Sequence, residues 1–199
     1  SRVRIVGIGA SAGGLEALEQ FLGHVPPGCG LAFIVVQHLD PTQKAMLAQL
    51  LQRSTAMPVG EATEGTRIAA GRVYVIPPNK ALTVSRGSLH LAAPEQPRGL
   101  RLPVDVLFES LALELQEQAI GVVLSGMGSD GTAGLRAIKG KGGLTLAQDP
   151  DSAQFDSMPR SAIEAGCVDI VAPAGEMPDR VLGMLARESS VDSIASDAN

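Results

Sequence analysis

Ser11, His38 and Asp130 are the three side-chain types that together turn a hydroxyl into a nucleophile, and each stands at the same kind of place in this chain. A serine hydroxyl attacks poorly until a histidine takes its proton. The histidine in turn works best when a carboxylate fixes its tautomer and orientation. Gly9-Ala10-Ser11-Ala12-Gly13 matches the G-x-S-x-G pattern, whose glycines let a serine sit exposed on a sharp strand-to-helix turn. His38 closes an apolar run, and Asp130 lies in the glycine-bracketed Ser125-Gly126-Met127-Gly128-Ser129-Asp130-Gly131 that follows another. Turns of this kind also present free backbone N–H groups and the positive end of a helix dipole, both suited to a developing oxyanion. The chemistry implied is acyl transfer from an ester, with Ser11 as nucleophile, His38 as general base and Asp130 orienting the histidine.

Each residue also has a plainer explanation. Ser11 by itself reads as a helix cap, and Asp130 reads equally well as one. His24, at a polar helix end, and His90, in a hairpin, read as structural, which leaves His38 as the histidine at a strand's carboxyl end. Asp105 and Asp149 are alternative acids; Asp105 falls in the first turn of a helix and is explained by the dipole. A rival reading is specific: Gly7-Ile8-Gly9-Ala10-Ser11-Ala12 satisfies G-x-G-x-x-A, a dinucleotide fingerprint, with Asp40 as the ribose-binding acid of an NAD(P) oxidoreductase. Asp40 is followed by Pro41 at a helix start, so a capping role accounts for it and the rival loses its acid. Three residues sharing one type of address favour the hydrolase.

The elements that must position them follow from periodicity. Residues 2–7 form a β-branched run that breaks at glycine, and Leu15, Leu18, Phe21 and Leu22 recur at helical spacing. Residues 31–37 form a nearly unbroken apolar strand, and Asp40-Pro41 starts a helix running to about Arg53. Residues 73–76, 82–84 and 89–91 read as short strands of an antiparallel appendage, the last two turning at Arg86-Gly87. A helix begins at Pro103, a buried strand spans 120–124, and a further helix spans 132–139. Residues 144–147 and 168–171 are the remaining strands, and 180–187 fall in a closing helix. Alternation of strand and helix predicts an α/β fold: an open, mostly parallel, Rossmann-like sheet with helices on both faces and an antiparallel hairpin appendage. The catalytic domain is expected over residues 1–188, with 189–199 a flexible tail or the start of a linker.

Composition excludes several function classes. With 199 residues, one core is the default. A net charge of -5, without a dense Lys/Arg cluster, argues against a nucleic-acid partner. Cys29 and Cys167 have neither CxxC spacing nor neighbouring histidines, so no metal site or disulfide framework is indicated, and a reducing cytoplasm fits. No apolar run reaches the length of a membrane span, so no direct membrane insertion is expected. No cofactor is implied.

Four segments taken together resemble the catalytic domain of the chemotaxis protein-glutamate methylesterase family, over nearly the whole chain. They are residues 6–18 from Val6-Gly7-Ile8 through the Ser11 turn, Val35-Val36-Gln37-His38-Leu39-Asp40-Pro41, Leu124 through Gly131, and Phe155-Asp156-Ser157-Met158-Pro159-Arg160-Ser161-Ala162-Ile163. The resemblance places the family's catalytic serine, histidine and aspartate on Ser11, His38 and Asp130. It implies removal of methyl esters from glutamyl side chains on the cytoplasmic helices of methyl-accepting chemoreceptors, with glutamine deamidation by the same machinery. Backbone N–H groups of Ala12 and Met127 are the candidates for the oxyanion hole. Ala12 stands where the family often has threonine, and the family's receiver domain is absent from the chain. The wording around His38 and at Ile76-Pro77-Pro78-Asn79 resembles the branch fused to a receptor methyltransferase, which makes a fused or associated methyltransferase an expected partner. A catalytically silent receptor-docking module is the other reading such a fold permits.

Overall fold

The structure, a computed structural model, describes residues 2–38 and 46–198. In chain order the strands are β1 (Arg4–Ala10), β2 (Leu31–Gln37), β3 (Val59–Glu61), β4 (Val73–Val75), β5 (Ala81–Ser85), β6 (Ser88–Ala92), β7 (Ile120–Val123), β8 (Leu144–Gln148) and β9 (Ile170–Ala172). The α-helices are α1 (Gly14–Gly23), α2 (Leu47–Gln52), α3 (Pro103–Leu115), α4 (Thr132–Gly140), α5 (Ser157–Glu164) and α6 (Met177–Asp197).

Seven strands form one sheet in the order β3-β4-β2-β1-β7-β8-β9, and every pairing in it is parallel. β5 and β6 pair antiparallel as a separate hairpin. Parallel strands are covered on both faces, and alternate residues divide cleanly. Ile5, Ile34 and Val36 face a core built with α3, α4, α5 and the hairpin. Val6, Ile8, Phe33 and Val35 face the other, built with α1, α2 and α6. After β1 the chain lays β2 beside it, places β3 at the sheet edge and inserts β4 between β3 and β2, then returns to lay β7 against the other side of β1. The reversal leaves a crevice between the carboxyl ends of β1 and β7, where open α/β sheets hold their ligands.

Gly7 and Gly9 lie inside β1, on the face that meets α3. A Cβ on Gly7 would stand 2.6 Å from Leu111 Cδ1, and one on Gly9 would stand 2.3 Å from Val104 Cγ1. These glycines therefore serve helix-on-sheet contact. The strand continues to Ala10, so neither glycine forms the turn that a dinucleotide pyrophosphate needs, and the nucleotide reading loses its fingerprint.

Several sequence expectations change. Residues 73–75 belong to the main sheet beside β2, because Val73, Tyr74 and Val75 are all buried and pair with Phe33, Ile34 and Val35. Only β5 and β6 form the antiparallel appendage. β3 was not expected: two of its three residues are exposed, so it carries no apolar signature. α5 is a further element outside the sequence expectations, a short helix burying Met158, Pro159 and Ala162. The closing helix runs from Met177 to Asp197, through a segment without apolar period that is exposed from Ala186 onward. The expected start of a helix at Asp40-Pro41, and the capping role of Asp40, fall outside the described residues.

Overpacking at Gly9 gives a direct test of the α3 seat. Gly9→Ala is expected to lower the unfolding free energy by about 1–3 kcal/mol. The cost should shrink when the change is combined with Val104→Ala, read as a coupling energy from urea denaturation of the two single variants and the pair.

Candidate active site

Register alone brings Ser11 and His38 together. Ala10 and Gln37 are the last paired residues of β1 and β2, and the His38 N–H donates to the Ala10 carbonyl at 3.1 Å. Ser11 and His38 are the next residues on strands roughly 4.8 Å apart. On the other side the Ser11 N–H donates to the Ser125 carbonyl at 3.0 Å, which carries the pairing past Val123, the last residue of β7. No hydrogen bond joins the Ser11 hydroxyl to the His38 ring among the described residues. Nor does Ser11 cap a helix: α1 has Gly13 at its N-cap, with no side-chain cap.

Asp130 is 3% exposed, and its carboxylate is fully engaged. Oδ2 accepts from His38 Nε2 at 2.6 Å and from the Val104 N–H at 3.0 Å, and Oδ1 accepts from the Asp105 N–H at 2.9 Å. Val104 and Asp105 open α3 after Pro103, which has no N–H of its own. Asp130 is thus a helix cap as well as the partner of His38, but it caps α3 and not the helix that follows it in sequence. A carboxylate only accepts, so the proton on this contact sits on His38 Nε2 and leaves Nδ1 as the basic nitrogen. The ring is therefore turned the opposite way from the serine-protease arrangement, in which the acid meets Nδ1.

The loops at the crevice are pinned by buried polar groups that the sequence reading did not single out. The Ser125 N–H donates to Gln148 Oε1 at 2.9 Å, while Ser125 Oγ donates to the Ala12 carbonyl at 2.8 Å and accepts from the Phe155 N–H at 3.0 Å. Gln37 Nε2 donates to the Ser11 carbonyl at 2.7 Å. A polar residue at the carboxyl end of an otherwise apolar strand is the signal that marks Gln37 and Gln148. Gly126 lies so close that a Cβ there would stand 2.8 Å from Ser11 Cβ. The N–H groups of Ser11, Gly126 and Gly128 are all taken, by Ser125, Phe155 and Ser157. Those of Ala12 and Met127 donate to no described residue.

The remaining candidates have other partners. His24 Nδ1 meets the Gln20 carbonyl and His90 Nδ1 meets Glu64, as structural roles require. Asp149 accepts from the Asp151 N–H and stays local. Asp105 corrects the sequence reading: its carboxylate turns from its own helix to α4, where Oδ1 accepts from Gly131 at 3.0 Å and Gly134 at 2.7 Å. A groove of about 480 Å³ opens beside His38, walled by Ile76, Pro77 and Pro78 and edged by Lys80, Arg98 and Arg101, with Glu95 as its acid. Arg101 is braced by the Gln96 carbonyl at 2.8 Å and Asn79 Oδ1 at 2.6 Å.

Fold and edge cluster define the class: an open parallel α/β domain whose strand ends set a serine beside a histidine–carboxylate pair. The chain belongs to the CheB methylesterase family, whose pattern matches residues 6–181. It is similar to the Thermotoga maritima CheB methylesterase catalytic domain, with a TM-score of 0.85 and 31% identity, over 92% of this chain and 100% of that one. It is 38% identical over 198 residues to "Protein-glutamate methylesterase/protein-glutamine glutaminase 1" of Geobacter metallireducens, covering 96% of this chain and 53% of that protein. A protein from Anaeromyxobacter dehalogenans, with the same name numbered 2, is 40% identical over 187 residues, covering 94% and 54%. The chain spans about half the length of these two relatives.

Burial pushes the Asp105 carboxyl up to about 6 against the pull of its two N–H donors, and the charges of Asp130 and Glu109 add to the rise. Its ordinary value is 3.8, so between these two the folded chain keeps a proton that the unfolded chain releases. This group's contribution to stability is therefore largest in acid and falls as pH rises from about 4 to about 6, by on the order of 3 kcal/mol. Asp105→Asn is expected to remove that component. Urea denaturation of both chains at a series of pH values from 4 to 8 reads the difference in slope.

Proposed function

We propose that this chain is a hydrolase that removes methyl esters from glutamyl side chains of chemoreceptor cytoplasmic helices. The observation that carries the reading is the buried Asp130 carboxylate holding the His38 ring at 2.6 Å, one residue beyond the paired strand ends that also present Ser11. In this reading His38 Nδ1 takes the Ser11 proton as Oγ attacks the ester carbonyl, a contact that tightens when substrate fills the crevice. The negative charge on the tetrahedral oxygen falls to the N–H groups of Ala12 and Met127, which donate to no described residue, and one such donor is worth about 2.7–4 kcal/mol. Because both are backbone donors, alanine at position 12 supplies what threonine would. Protonated His38 then gives its proton to the departing methanol oxygen. Water, activated by the same ring, releases the glutamate and frees Ser11. An amide in place of the ester loses ammonia by the same steps, in keeping with the double name of the relatives.

Two features favour a protein helix as substrate over a free amino-acid ester. Leu100, Leu102, Met127 and Phe155 are exposed large apolar side chains, Leu102 lining the groove beside His38 with Leu100 two residues before it, and Phe155 bonded through its carbonyl to Gly126 next to Met127. Apolar groups gathered around a site mark contact with a macromolecule. Lys80, Arg98 and Arg101 make the groove beside His38 basic on a chain of net charge -5, which suits a helix whose hydrolysed positions become carboxylates. The proposed catalytic unit is residues 1–188, in line with Val181 being the last fully buried position of α6. The reaction belongs in the cytoplasm with its substrate. A receptor methyltransferase, fused or associated, is the proposed partner on the sequence resemblance at Ile76-Pro77-Pro78-Asn79, and co-elution of the two proteins tests it.

Methanol release from a methylated receptor fragment is the primary assay. Ser11→Ala is expected to lower kcat by about 10⁴- to 10⁶-fold with an unchanged circular dichroism spectrum. Near-parental turnover by that variant would exclude Ser11 as nucleophile, and receptor binding without turnover by the parental chain would identify a silent docking module. Arg101→Glu is expected to raise KM several-fold with kcat nearly constant, and the effect should fade as ionic strength rises.

A further inference from the structure

Among the described residues the mechanism leaves one buried carboxyl group unused. Asp105 is 6% exposed and lies in the first turn of α3, yet its side chain serves another element. Oδ1 accepts from both Gly131 and Gly134, the N-cap and the third residue of α4. Asp130, directly before Gly131, gives its own carboxylate to the first turn of α3, including the Asp105 N–H. Two helices thus exchange acids across their N-termini, each satisfying N–H groups of the other that have no partner within their own helix.

This exchange bears on the reacting groups. Asp130 sits in a loop whose backbone passes through Gly128 at φ +85° and Gly131 at φ +96°, and glycines in such conformations leave a loop many alternatives. Its position is set from two directions. Main-chain donors of α3 hold the carboxylate, and the Asp105 carboxylate holds the next peptide. Close approach makes this possible: a Cβ on Gly134 would stand 2.5 Å from Phe108 Cβ and 3.1 Å from Asp105 Cα. We infer that Asp105 is a positioning residue for the hydrolytic reaction, anchoring the Gly131 and Gly134 N–H groups so that Asp130 stays in line with His38. The inference rests on the proposed roles of Asp130 and His38. It assigns Asp105 no contact with substrate.

The prediction separates an acceptor from a charge. Asp105→Asn keeps an oxygen that accepts both N–H groups, whereas Asp105→Ala leaves both unpaired and frees the loop. In the full chain, Asp105→Ala is expected to lower kcat about 10²-fold, the scale of a small misplacement in a reacting group, with KM within about twofold. Asp105→Asn should keep kcat within about threefold. The second readout is the far-downfield ¹H resonance of the His38 N–H on its contact with Asp130, assigned by its loss in His38→Gln. It should weaken or vanish in the alanine variant and persist in the asparagine variant. Asp105→Thr fills the volume with one short acceptor, and the same losses are expected of it should the alanine variant not fold. A folded alanine or threonine variant with parental kcat and an unchanged resonance overturns the inference. So does an asparagine variant as impaired as alanine, since that would assign the effect to charge. Should the parental chain release no methanol, the proposed function fails, while the resonance comparison still decides whether Asp105 holds Asp130 against His38.

Discussion

Helix α3 can rest on β1 only because β1 has no side chain at Gly9. Val104 occupies that space, and its N–H, together with that of Asp105, is thereby set over the end of the strand that leads into Ser11. Those two donors hold Asp130, and Asp130 holds His38. A glycine with no evident chemistry therefore fixes where the acid of the site stands. The same economy recurs at Gly126, whose bare backbone lies against Ser11, and at Gly134, which lets α3 and α4 exchange carboxylates.

This placement has an electrostatic logic. A buried carboxylate is costly unless its lone pairs are satisfied, and Asp130 accepts two main-chain donors at the positive end of a helix as well as an imidazole. In the proposed mechanism the same interactions keep the anion available to stabilise the positive charge that His38 acquires from Ser11. Asp105, nearby, has only the two N–H groups of α4 and is less well compensated, which is why burial raises it to about 6.

Much of this was legible in the sequence where the signal was local. Ser11, His38 and Asp130 stood out because each followed an apolar run at a glycine-rich or helix-starting turn, and parallel-strand register converts that shared address into proximity. The hairpin turn at Arg86-Gly87 was equally plain. What escaped depended on distant partners. β4 has three buried residues, too few to distinguish a central parallel strand from an outlying one, and only its pairing with β2 decides. Asp105 was credited to its own helix dipole because sequence shows which helix a residue belongs to and not where its side chain turns. The helical end of α6 escaped because its exposed residues have no period to read.

The spacing of the three residues also explains why the site tolerates its loops. Ser11 and His38 are placed by strands, whose relative position is set by the continuous parallel ladder from Arg4 paired with Leu31 to Ala10 paired with Gln37. Asp130 lies deep within a loop rather than next to a strand end, and among the described residues its side chain has the most hydrogen bonds of the three. Geometry that a strand supplies through regular pairing must be supplied in a loop by specific contacts, and the polar network is concentrated where that need is greatest. The apolar rim follows the opposite rule. Met127 projects from the same loop at 62% exposure, between the Gly126 and Gly128 N–H groups that are bonded to Phe155 and Ser157. A loop constrained at its base and open at its tip suits the proposed protein substrate, since it fixes the groups at its base and leaves its outer surface adaptable.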